Sequence, residues 1–404
     1  MVPEDWRNVE IGSVCSSITD CVNKTAPVVE GPTPYKMIRT TNVKNGRVDL
    51  DEVRYVTEET YSKWSRRGPL RDGDIILTRE APVGEVGRLK DSSGAFLGQR
   101  TVVYRADPRK ADQDFLFHAM RGQALSRQYL ELSAGGTVAH IRVPDCSKFA
   151  LRLPPLPEQR KIAEILSTWD RAIETTEALL AAAKAQKRAL MQTLLTGKRR
   201  FPEFEGRPWR EVRLGRLCDI NPRLTTIAND DRLTFLSMDA VSEEGRILRR
   251  DDGTTSQYGT GYTRFQDGDV LVAKITPCFE NGKGCHATGL TNGLGAGSTE
   301  FHVLRAKDER DQRFVFQVVN SHPFRTRGEA NMQGSAGQRR VPTDFIRAYL
   351  VHAPASADER GRIAEVLDEA DRLAEEHKTQ IEKLRTEKSA LMQQLLTGKR
   401  RVQV

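Results

Sequence analysis

The stretch that decides the fold is Ala189-Leu190-Met191-Gln192-Thr193-Leu194-Leu195-Thr196-Gly197-Lys198-Arg199-Arg200, because the chain repeats it as Ala390-Leu391-Met392-Gln393-Gln394-Leu395-Leu396-Thr397-Gly398-Lys399-Arg400-Arg401. The two copies are 201 residues apart, about half of the 404-residue chain. The same shift relates Ile162-Ala163-Glu164-Ile165-Leu166 to Ile363-Ala364-Glu365-Val366-Leu367. A repeat of this length indicates one structural unit used twice.

The repeat is clear at its ends and weak in between. Trp6-Arg7 corresponds to Trp209-Arg210 at the start, but the middle keeps only fragments such as Asp72-Gly73-Asp74 against Asp267-Gly268-Asp269. We therefore divide the chain into a diverged and a matching stretch, twice. The predicted boundaries are 1–155 for domain 1, 156–200 for helical spacer 1, 201–355 for domain 2 and 356–404 for helical spacer 2.

The diverged stretches predict an α+β fold. Short β-rich runs such as Ile75–Thr78 and Val270–Ala273 alternate with Gly, Pro, Asn and Asp, which favour turns. The matching stretches instead place apolar residues at alternating spacings of four and three, the heptad pattern of paired helices. The predicted seam is Ile162, Leu166, Trp169, Ile173, Leu180, Ala183, Leu190 and Leu194 in the first copy, and Ile363, Leu367, Ala370, Ala374, Ile381, Leu384, Leu391 and Leu395 in the second.

The seam is interrupted by polar residues at matching heights, Thr176 and Lys187 in one copy and His377 and Lys388 in the other, which indicates a fixed register. The first helix is predicted from Glu158 to Thr196, and it leads from domain 1 to domain 2. A second helix that pairs with it must run back. The expected architecture is two similar domains separated by two long antiparallel helices, a coiled coil, with a pseudo-two-fold internal repeat.

Composition restricts the class of protein. Lys and Arg number 63 against 55 Asp and Glu, a net charge of +8 that favours polyanionic partners. No window approaches the roughly 18 apolar residues of a membrane span, and the N-terminus lacks the pattern of a signal peptide, so we expect a cytoplasmic protein without membrane contact. The six cysteines form no C-x-x-C pair. Cys278, Cys285 and His286 have no fourth ligand at a usual spacing, so we expect neither a metal site nor a cofactor.

Local motifs carry a family resemblance. Leu153-Pro154-Pro155-Leu156-Pro157-Glu158-Gln159-Arg160-Lys161-Ile162-Ala163 leads into a helix that ends Leu194-Leu195-Thr196-Gly197-Lys198, in a chain built from two such units. This arrangement resembles the specificity (S) subunit of type I restriction-modification enzymes. Tyr35–Val43, Gly73–Thr78 and Gly135-Gly136-Thr137 are also similar to that family's target-recognition domains.

The resemblance implies a non-catalytic subunit of a DNA methyltransferase and restriction endonuclease complex. Each globular domain would read one half of a bipartite, asymmetric site in double-stranded DNA. The helices would set the spacing and dock two methyltransferase (modification) subunits, which restriction (endonuclease and translocase) subunits then join. The second copy departs from the pattern at Ala353–Arg360, and Gly361 weakens the first turn of its helix by up to about 1 kcal/mol, so the start of that helix is in doubt.

The motifs of the corresponding enzymes are incomplete. Leu153-Pro154-Pro155-Leu156 lacks the polar residue and the ring that an amino-methylating site needs. The Glu-x-Lys triplet Glu376-His377-Lys378 lies within the heptad pattern, where a solvated helix face explains it. The Gly-Lys pairs at Gly197, Gly282 and Gly398 are not followed by the Ser or Thr of a phosphate loop. We therefore expect recognition without chemistry.

Lys and Arg supply affinity for phosphates, while polar side chains at base edges supply specificity. The predicted DNA-contacting residues are Lys36, Arg39, Thr40, Arg79, Arg100, His140 and Arg142 in domain 1, and Arg264, Lys274, Gln338, Arg339 and Arg340 in domain 2. The basic triplets Lys198–Arg200 and Lys399–Arg401 follow helix ends, where cations offset the helix dipole, with DNA contact as the alternative. The alternative function is a stand-alone, pseudo-dimeric DNA-binding or coiled-coil interaction protein.

Overall fold

A computed structural model describes residues 3–133, 139–224, 231–258, 261–335 and 337–403. Gly135-Gly136-Thr137, which contributed to the resemblance, lies outside the described residues. The chain forms two compact units, one of residues 1–177 with 379–404 and the other of residues 178–378. Each unit thus combines one globular domain with a part of each long helix.

Unit 1 is an α+β structure whose strands are short and separated by turns. Its strands are β1 Arg7–Glu10, β2 Cys15–Asp20, β3 Lys36–Ile38, β4 Val43–Lys44, β5 Gly46–Val48, β6 Arg54–Tyr55, β7 Ile75–Arg79, β8 Val83–Arg88, β9 Ala95–Leu97, β10 Thr101–Ala106 and β11 Ala150–Leu153. Its helices are α1 Glu58–Trp64, α2 Gln113–Met120, α3 Gln123–Ser133 and the first part of α4 Leu156–Leu194.

Three sheets organise unit 1. A six-stranded sheet has the order β2-β10-β7-β8-β5-β4, a three-stranded sheet the order β6-β3-β9, and β1 pairs with β11. The main core joins the six-stranded sheet to α2, α3 and the long helices, because Tyr104, Phe115 and Leu166 belong to one buried cluster with Leu395. The long helices are therefore part of the hydrophobic core of the unit.

Unit 2 has a comparable set of elements in the same order. Its strands are β12 Trp209–Arg213, β13 Cys218–Ile220, β14 Arg232–Leu236, β15 Asp251–Thr254, β16 Thr263–Gln266, β17 Val270–Ala273, β18 Gly284–His286, β19 Leu294–Gly297, β20 Phe301–Ala306 and β21 Leu350–Pro354. Its helices are α5 Leu214–Leu217, α6 Gln312–Val319, α7 His322–Ala330, α8 Thr343–Ala348 and the first part of α9 Ala357–Leu395.

The sheets of unit 2 differ from those of unit 1. Two four-stranded sheets have the orders β13-β20-β17-β18 and β15-β14-β19-β16, and β12 pairs with β21. A core cluster again includes residues of both long helices, here Leu194 of α4 with Ile363 and Leu367 of α9. Leu236, Phe265 and Phe301 belong to a second buried cluster of the unit.

The two long helices have the same length and corresponding limits. Each has 39 residues, and their first residues, Leu156 and Ala357, are 201 positions apart. The first helix begins two residues before the predicted Glu158 and ends two residues before Thr196. Gly197 and Gly398 follow the helix ends with φ of 71° and 72°, the left-handed conformation that terminates helices at glycine.

The start of α9 is not delayed by Gly361, because side chains before it fix the first turn. Arg360 is buried and donates to the carbonyl oxygen of Pro354 at 2.8 Å. It also makes a bidentate pair with the buried Asp311 at 2.7 and 2.8 Å. In α4 the corresponding residue, Gln159, donates to the Pro154 carbonyl at 2.9 Å.

Candidate nucleic-acid interface

The helix start in unit 1 is attached to the chain termini through one buried carboxylate. Glu158 is 2% exposed and accepts a hydrogen bond from the Trp6 indole nitrogen at 3.0 Å. Arg401 donates to both of its oxygens, at 2.7 and 2.8 Å, and pairs with Asp5 as well. A carboxylate in the first turn is also favoured by the helix dipole.

Unit 2 repeats the contacts among the tryptophan, the glutamate and the arginine. Glu359 is 1% exposed, accepts from the Trp209 indole nitrogen at 3.0 Å and from Arg200 at 3.0 and 2.8 Å. The Arg200 guanidinium lies over the Trp209 ring, 5.7 Å from its centroid. The last arginine of each basic triplet, Arg200 and Arg401, is therefore bound within its own unit.

A second repeated contact joins the two long helices inside each unit. In unit 2, Lys187 donates to both oxygens of Asp371 at 2.7 and 2.6 Å. In unit 1, Lys388 pairs with Asp170. Lys187 and Lys388 are the matching polar positions of the predicted seam, and their partners are also 201 residues apart. Lys388 is 5% exposed, and burial lowers the pKa of its ammonium group.

The surroundings of these two pairs differ in several residues, among them His118. His118 in unit 1 is 1% exposed, and its Nε2 lies 3.1 Å from the hydroxyl of Ser167. Burial, followed by the charges of Lys388 and Arg121, lowers the pKa of His118 to about 2. In unit 2 the corresponding place holds Gln317, which donates to Asp368 at 2.9 Å and to Asp371 at 3.2 Å.

The predicted seam residues are all buried or half-buried. Buried members include Ile162, Leu166, Ile173 and Leu194 in α4, and Ile363, Leu367, Ile381 and Leu395 in α9, while Trp169, Leu180, Leu190, Leu384 and Leu391 are half-buried. Their pairing as one continuous coiled coil stays a prediction.

Five predicted DNA-contacting residues of domain 1 lie together where β7 ends. The Arg79 backbone N–H donates to the Arg100 carbonyl at 2.8 Å, and the Ile141 N–H donates to the Arg79 carbonyl at 2.9 Å. His140 forms a β-bridge with Glu80. The Thr40 hydroxyl donates to the Ala81 carbonyl at 2.8 Å, which places Thr40 and the preceding Arg39 beside the same turn. We call this group, with Glu80 and Gln99, face 1.

Four predicted residues of domain 2 lie together where β17 ends. The Lys274 N–H donates to the Glu300 carbonyl and the Val341 N–H to the Lys274 carbonyl, both at 2.8 Å. Arg340 forms a β-bridge with Ile275. Gln338 and Arg339 precede it in the same loop, and the Thr276 N–H donates to the Arg339 carbonyl at 2.9 Å. We call this group, with Ser237, Met238, Thr299 and Glu300, face 2.

The two faces share one backbone framework. The pairs of hydrogen bonds at Arg79 and Lys274 correspond, as do the β-bridges of His140 and Arg340. A parallel strand pair borders each face, β3 with β9 in unit 1 and β14 with β19 in unit 2. Gly98 N–H donates to Ile38, and Ser298 N–H donates to Leu236, at 2.7 and 3.2 Å.

Different side chains occupy the corresponding positions of this framework. The pairs are Arg39 with Ser237, Thr40 with Met238, Arg79 with Lys274, Glu80 with Ile275, Gln99 with Thr299, Arg100 with Glu300, and His140 with Arg340. Sequence reasoning did not select Glu80, Gln99, Ser237, Met238, Thr299 or Glu300. Gln99 and Thr299 follow Gly98 and Ser298, whose N–H groups bond to Ile38 and Leu236. This alignment is visible only in the structure, so the sequence gives no signal that the two residues correspond.

Three further predicted residues are not among those that define the two faces. Lys36 begins β3 and borders an open groove of about 2050 Å³ in unit 1, next to the long helices. Arg142 turns to Asp145, with its Nε at 2.8 Å from the carboxylate. Arg264 lies within β16, opposite Ala296 of β19.

The groove that Lys36 borders is lined by charges of both signs, many of them paired. Arg47 of the β4–β5 hairpin and Arg385 of α9 both bind Glu177 of α4, at 2.9 and 2.7 Å. Lys90 pairs with Glu174 of the same helix. These contacts hold the domain against the helices. The residues that line the groove still include more Lys and Arg than Asp and Glu, so the groove keeps a net positive charge.

Among the described residues, no group of three or more His, Cys, Asp or Glu side chains is placed to hold a metal ion. The helices of the described part of the chain include none that is long and apolar enough to cross a membrane.

Comparison with known proteins identifies the first half of the chain. A family model described as the type I restriction modification DNA specificity domain matches residues 3–185. Residues 3–185 are similar to that domain. The predicted resemblance to specificity subunits is therefore confirmed.

Curated relatives of this specificity domain are specificity subunits. The EcoEI specificity subunit of Escherichia coli is 30% identical over 57% of this chain, and the match covers 39% of that relative. The putative MjaX specificity subunit of Methanocaldococcus jannaschii is 21% identical over 99% of this chain and 95% of the relative. Because the match spans about two fifths of the EcoEI subunit, the activity and partners of that whole protein are proposals for this chain.

Solved structures agree in fold along nearly the whole chain. The S subunit of a type I restriction-modification system from M. genitalium superposes with a TM-score of 0.60 at 14% identity, covering 98% of this chain and 96% of that one. A chain from work on complex assembly and conformational transition of the type I system gives a TM-score of 0.53 at 19% identity, with 98% of each chain covered. The α+β fold of two domains linked by helices is thus confirmed.

Proposed function

We propose that the chain is the DNA sequence-recognition and scaffold subunit of a type I restriction-modification complex. Each domain reads one half of a bipartite, asymmetric site in double-stranded DNA, face 1 one half and face 2 the other. The observation that carries this proposal is the pair of faces, because one backbone framework presents different side chains at corresponding positions. Two readers of that kind select two unlike half-sites.

The chemistry of the faces suits duplex DNA. Arg39, Arg79 and Arg100 in face 1 and Lys274, Arg339 and Arg340 in face 2 supply cations for phosphates and for guanine edges. Gln99, Thr299 and Ser237 add neutral donors and acceptors of the kind that distinguish base edges.

We further propose that α4 and α9 form an antiparallel coiled coil around a pseudo-two-fold axis, which sets the spacing between the half-sites. The contacts in unit 1 support this direction, since Asp170 pairs with Lys388 and, further along α4, Glu177 pairs with Arg385, which comes earlier in α9. The equivalent pair of Lys187 and Asp371 in unit 2 supports the repeat.

In this proposal the helices also dock two methyltransferase subunits, which restriction subunits then join. The chain itself is non-catalytic and needs no cofactor, and it acts in the cytoplasm beside the DNA. The incomplete methyltransferase, nuclease and phosphate-loop motifs support this division of labour.

The decisive experiment is methylome sequencing of a host that expresses this chain with the methyltransferase subunit encoded beside it. We expect a new methylated motif of two short halves and an unspecified gap. A host expressing the methyltransferase subunit alone is the control. A soluble complex without any new motif contradicts the proposal, and DNA binding by the chain alone would then favour the stand-alone regulator.

The spacing role has its own test, an insertion of seven residues at two places. One insertion follows Glu177 and the other follows Lys378, where both helices pass between the compact units, so the contacts within each unit are kept. At about 1.5 Å per helical residue, against about 3.4 Å per base pair, we expect the gap in the methylated motif to grow by about three base pairs. An unchanged gap contradicts the spacing role of the helices. A change in the half-sites themselves would mean that the helices also affect which bases the two domains read.

A further inference from the structure

Face 2 holds one arginine in a fixed orientation at its surface. Arg340 donates from Nε and Nη2 to the carboxylate of Glu300, at 3.0 and 2.9 Å. Its Nη1 donates to the carbonyl oxygen of Gln338 at 3.2 Å. The Arg340 side chain is nevertheless 43% exposed, against 24% for Glu300. The guanidinium is therefore positioned from one side and open on the other.

A count of donors shows what the open side offers. A guanidinium has five N–H groups, and its contacts with Glu300 and Gln338 use three of them. Within the described part of the chain, one N–H therefore stays available on Nη1 and one on Nη2. Two neighbouring donors on the terminal nitrogens match the O6 and N7 acceptors of guanine in the major groove.

The carboxylate favours a guanine contact over a phosphate contact. Glu300 is ionised at neutral pH, because the hydrogen bond from Arg340 lowers its pKa. A carboxylate beside the guanidinium repels a phosphate, whereas it can accept from the exocyclic amine of a neighbouring cytosine or adenine. An ion-paired arginine also loses little side-chain freedom on binding, which sharpens discrimination more than a free surface arginine does.

We propose that Arg340, oriented by Glu300, reads one guanine in the half-site of the second domain. This inference rests on the proposed function and adds the residue and the base. The corresponding positions of face 1 are His140 and Arg100, and there Arg100 pairs with Glu80 at 3.3 Å. Both faces therefore contain an Arg–Glu ion pair, but the two residues occupy different positions of the shared framework in each face. The two arginines consequently lie at different places on the two faces.

The test uses the full-length chain in complex with the methyltransferase subunit, once the wild-type motif is known. Relative methylation rates are measured on duplexes that carry each of the four bases at every guanine position of the motif. We expect Arg340→Lys, which keeps the charge and loses the fork, to abolish a roughly 5- to 150-fold preference for guanine at one position. We expect Glu300→Gln to weaken the same preference, and both variants to leave the other half-site unchanged.

The matched control is Arg310→Lys, since Arg310 is also held by carboxylates, Asp308 and Asp358, and is similarly exposed, but lies just before α6 and outside face 2. This control should keep the full motif. If Arg340→Lys and Glu300→Gln keep every preference, the inference is wrong although the proposed function stands. A further variant, Arg340→Gln, removes the charge. If it weakens methylation uniformly across all sequences and reduces the salt dependence by about one charge, while Arg340→Lys keeps every preference, Arg340 is a phosphate contact instead.

A probe that leaves the protein unaltered covers the case in which the variants fail to fold. Wild-type complex is assayed on duplexes with 7-deazaguanine, which lacks the N7 acceptor, at each guanine in turn. We expect a loss of rate at the position that Arg340 reads. No loss at any guanine of either half-site contradicts the inference. A wild-type complex without a split motif contradicts the proposed function itself.

Discussion

The two compact units are alike where they hold the long helices and unlike where they present their faces. At the helix starts, Trp6, Glu158 and Arg401 make the same contacts as Trp209, Glu359 and Arg200. At the faces, the backbone hydrogen bonds correspond, but Arg100 has Glu300 as its counterpart and His140 has Arg340.

This difference shows which features depend on side-chain identity. A buried carboxylate is stable only with specific donors, so the residues around Glu158 and Glu359 can hardly change without a loss of stability. The framework of the faces is made by backbone groups, which any residue supplies. The exposed side chains on that framework can therefore be replaced at little cost in stability.

The largest loss of stability is expected at Glu359, at the start of α9, because its arginine partner is more buried than that of Glu158. Arg200→Ala leaves Glu359, which is 1% exposed, with only the Trp209 indole as a donor. Loss of one partner from a buried ion pair costs about 3 kcal/mol. Arg401→Ala should cost less, because the Arg401 side chain is 45% exposed, against 21% for Arg200. Urea unfolding followed by hydrogen exchange at the starts of α4 and α9 measures both variants, and equal effects would contradict the comparison.

The helical half of this architecture could be predicted from sequence, because its side chains repeat. The shift of 201 residues, the seam and the polar positions Lys187 and Lys388 all follow from the pattern. The partners of these lysines were missed, since Asp170 and Asp371 lie next to the apolar seam positions and resemble ordinary surface carboxylates. The α+β class was predicted too, but the different sheet orders were not, because short strands carry little information about their neighbours.

The faces could be predicted only in part. The sequence predicts Arg79 and Arg100 as contacts because they lie in loops or at strand ends, and Arg340 because glycines precede it, and these three residues lie in the two faces. Lys36 meets the same criterion and borders the groove instead, because local sequence does not reveal which loops meet in space. Glu300 was not considered, since a carboxylate is an unexpected residue on a surface for DNA until its arginine partner is seen.

The Lys–Asp pairs give the next effect and sharpen the comparison within the helices. Asp170→Asn leaves Lys388, which is 5% exposed, without its carboxylate, whereas Asp371→Asn leaves the half-buried Lys187. We expect about 2 kcal/mol of destabilisation for Asp170→Asn and about half as much for Asp371→Asn. Unfolding midpoints of the two variants test the order, and the reverse order would mean that burial does not govern the cost.

The His118 position predicts a dependence on pH that one substitution should remove. The pKa of His118 is about 2 in the folded chain, against an ordinary value of 6.5. A depressed pKa adds stability that is present above pH 6.5 and is lost as the pH falls below it, because the unfolded chain then binds a proton that the folded chain excludes. At pH 5 the loss amounts to about 2 kcal/mol. His118→Gln, which installs the counterpart residue Gln317 of unit 2, should lessen this loss by that amount.

The measurement for this variant is the free energy of unfolding of unit 1 between pH 7 and 5, followed by hydrogen exchange of α2. The wild-type chain is the reference, and exchange in unit 2 should respond to pH alike in both proteins. An equal pH dependence in wild type and His118→Gln would mean that His118 is protonated in the folded unit.

The smallest effect on stability is expected at the faces, where the effect on function is expected to be large. Gln99 and Thr299 hold corresponding positions, half-buried and exposed, on a framework made by backbone hydrogen bonds. Gln99→Ala and Thr299→Ala should each change the free energy of unfolding by about 0.5 kcal/mol or less, as surface substitutions do. If the faces read DNA separately, each variant alters base preference in one half of the methylated motif and leaves the other half intact. A change in both halves from a single variant would mean that the two faces do not act as independent readers. The difference between the like helix starts and the unlike faces would then have no role in DNA reading.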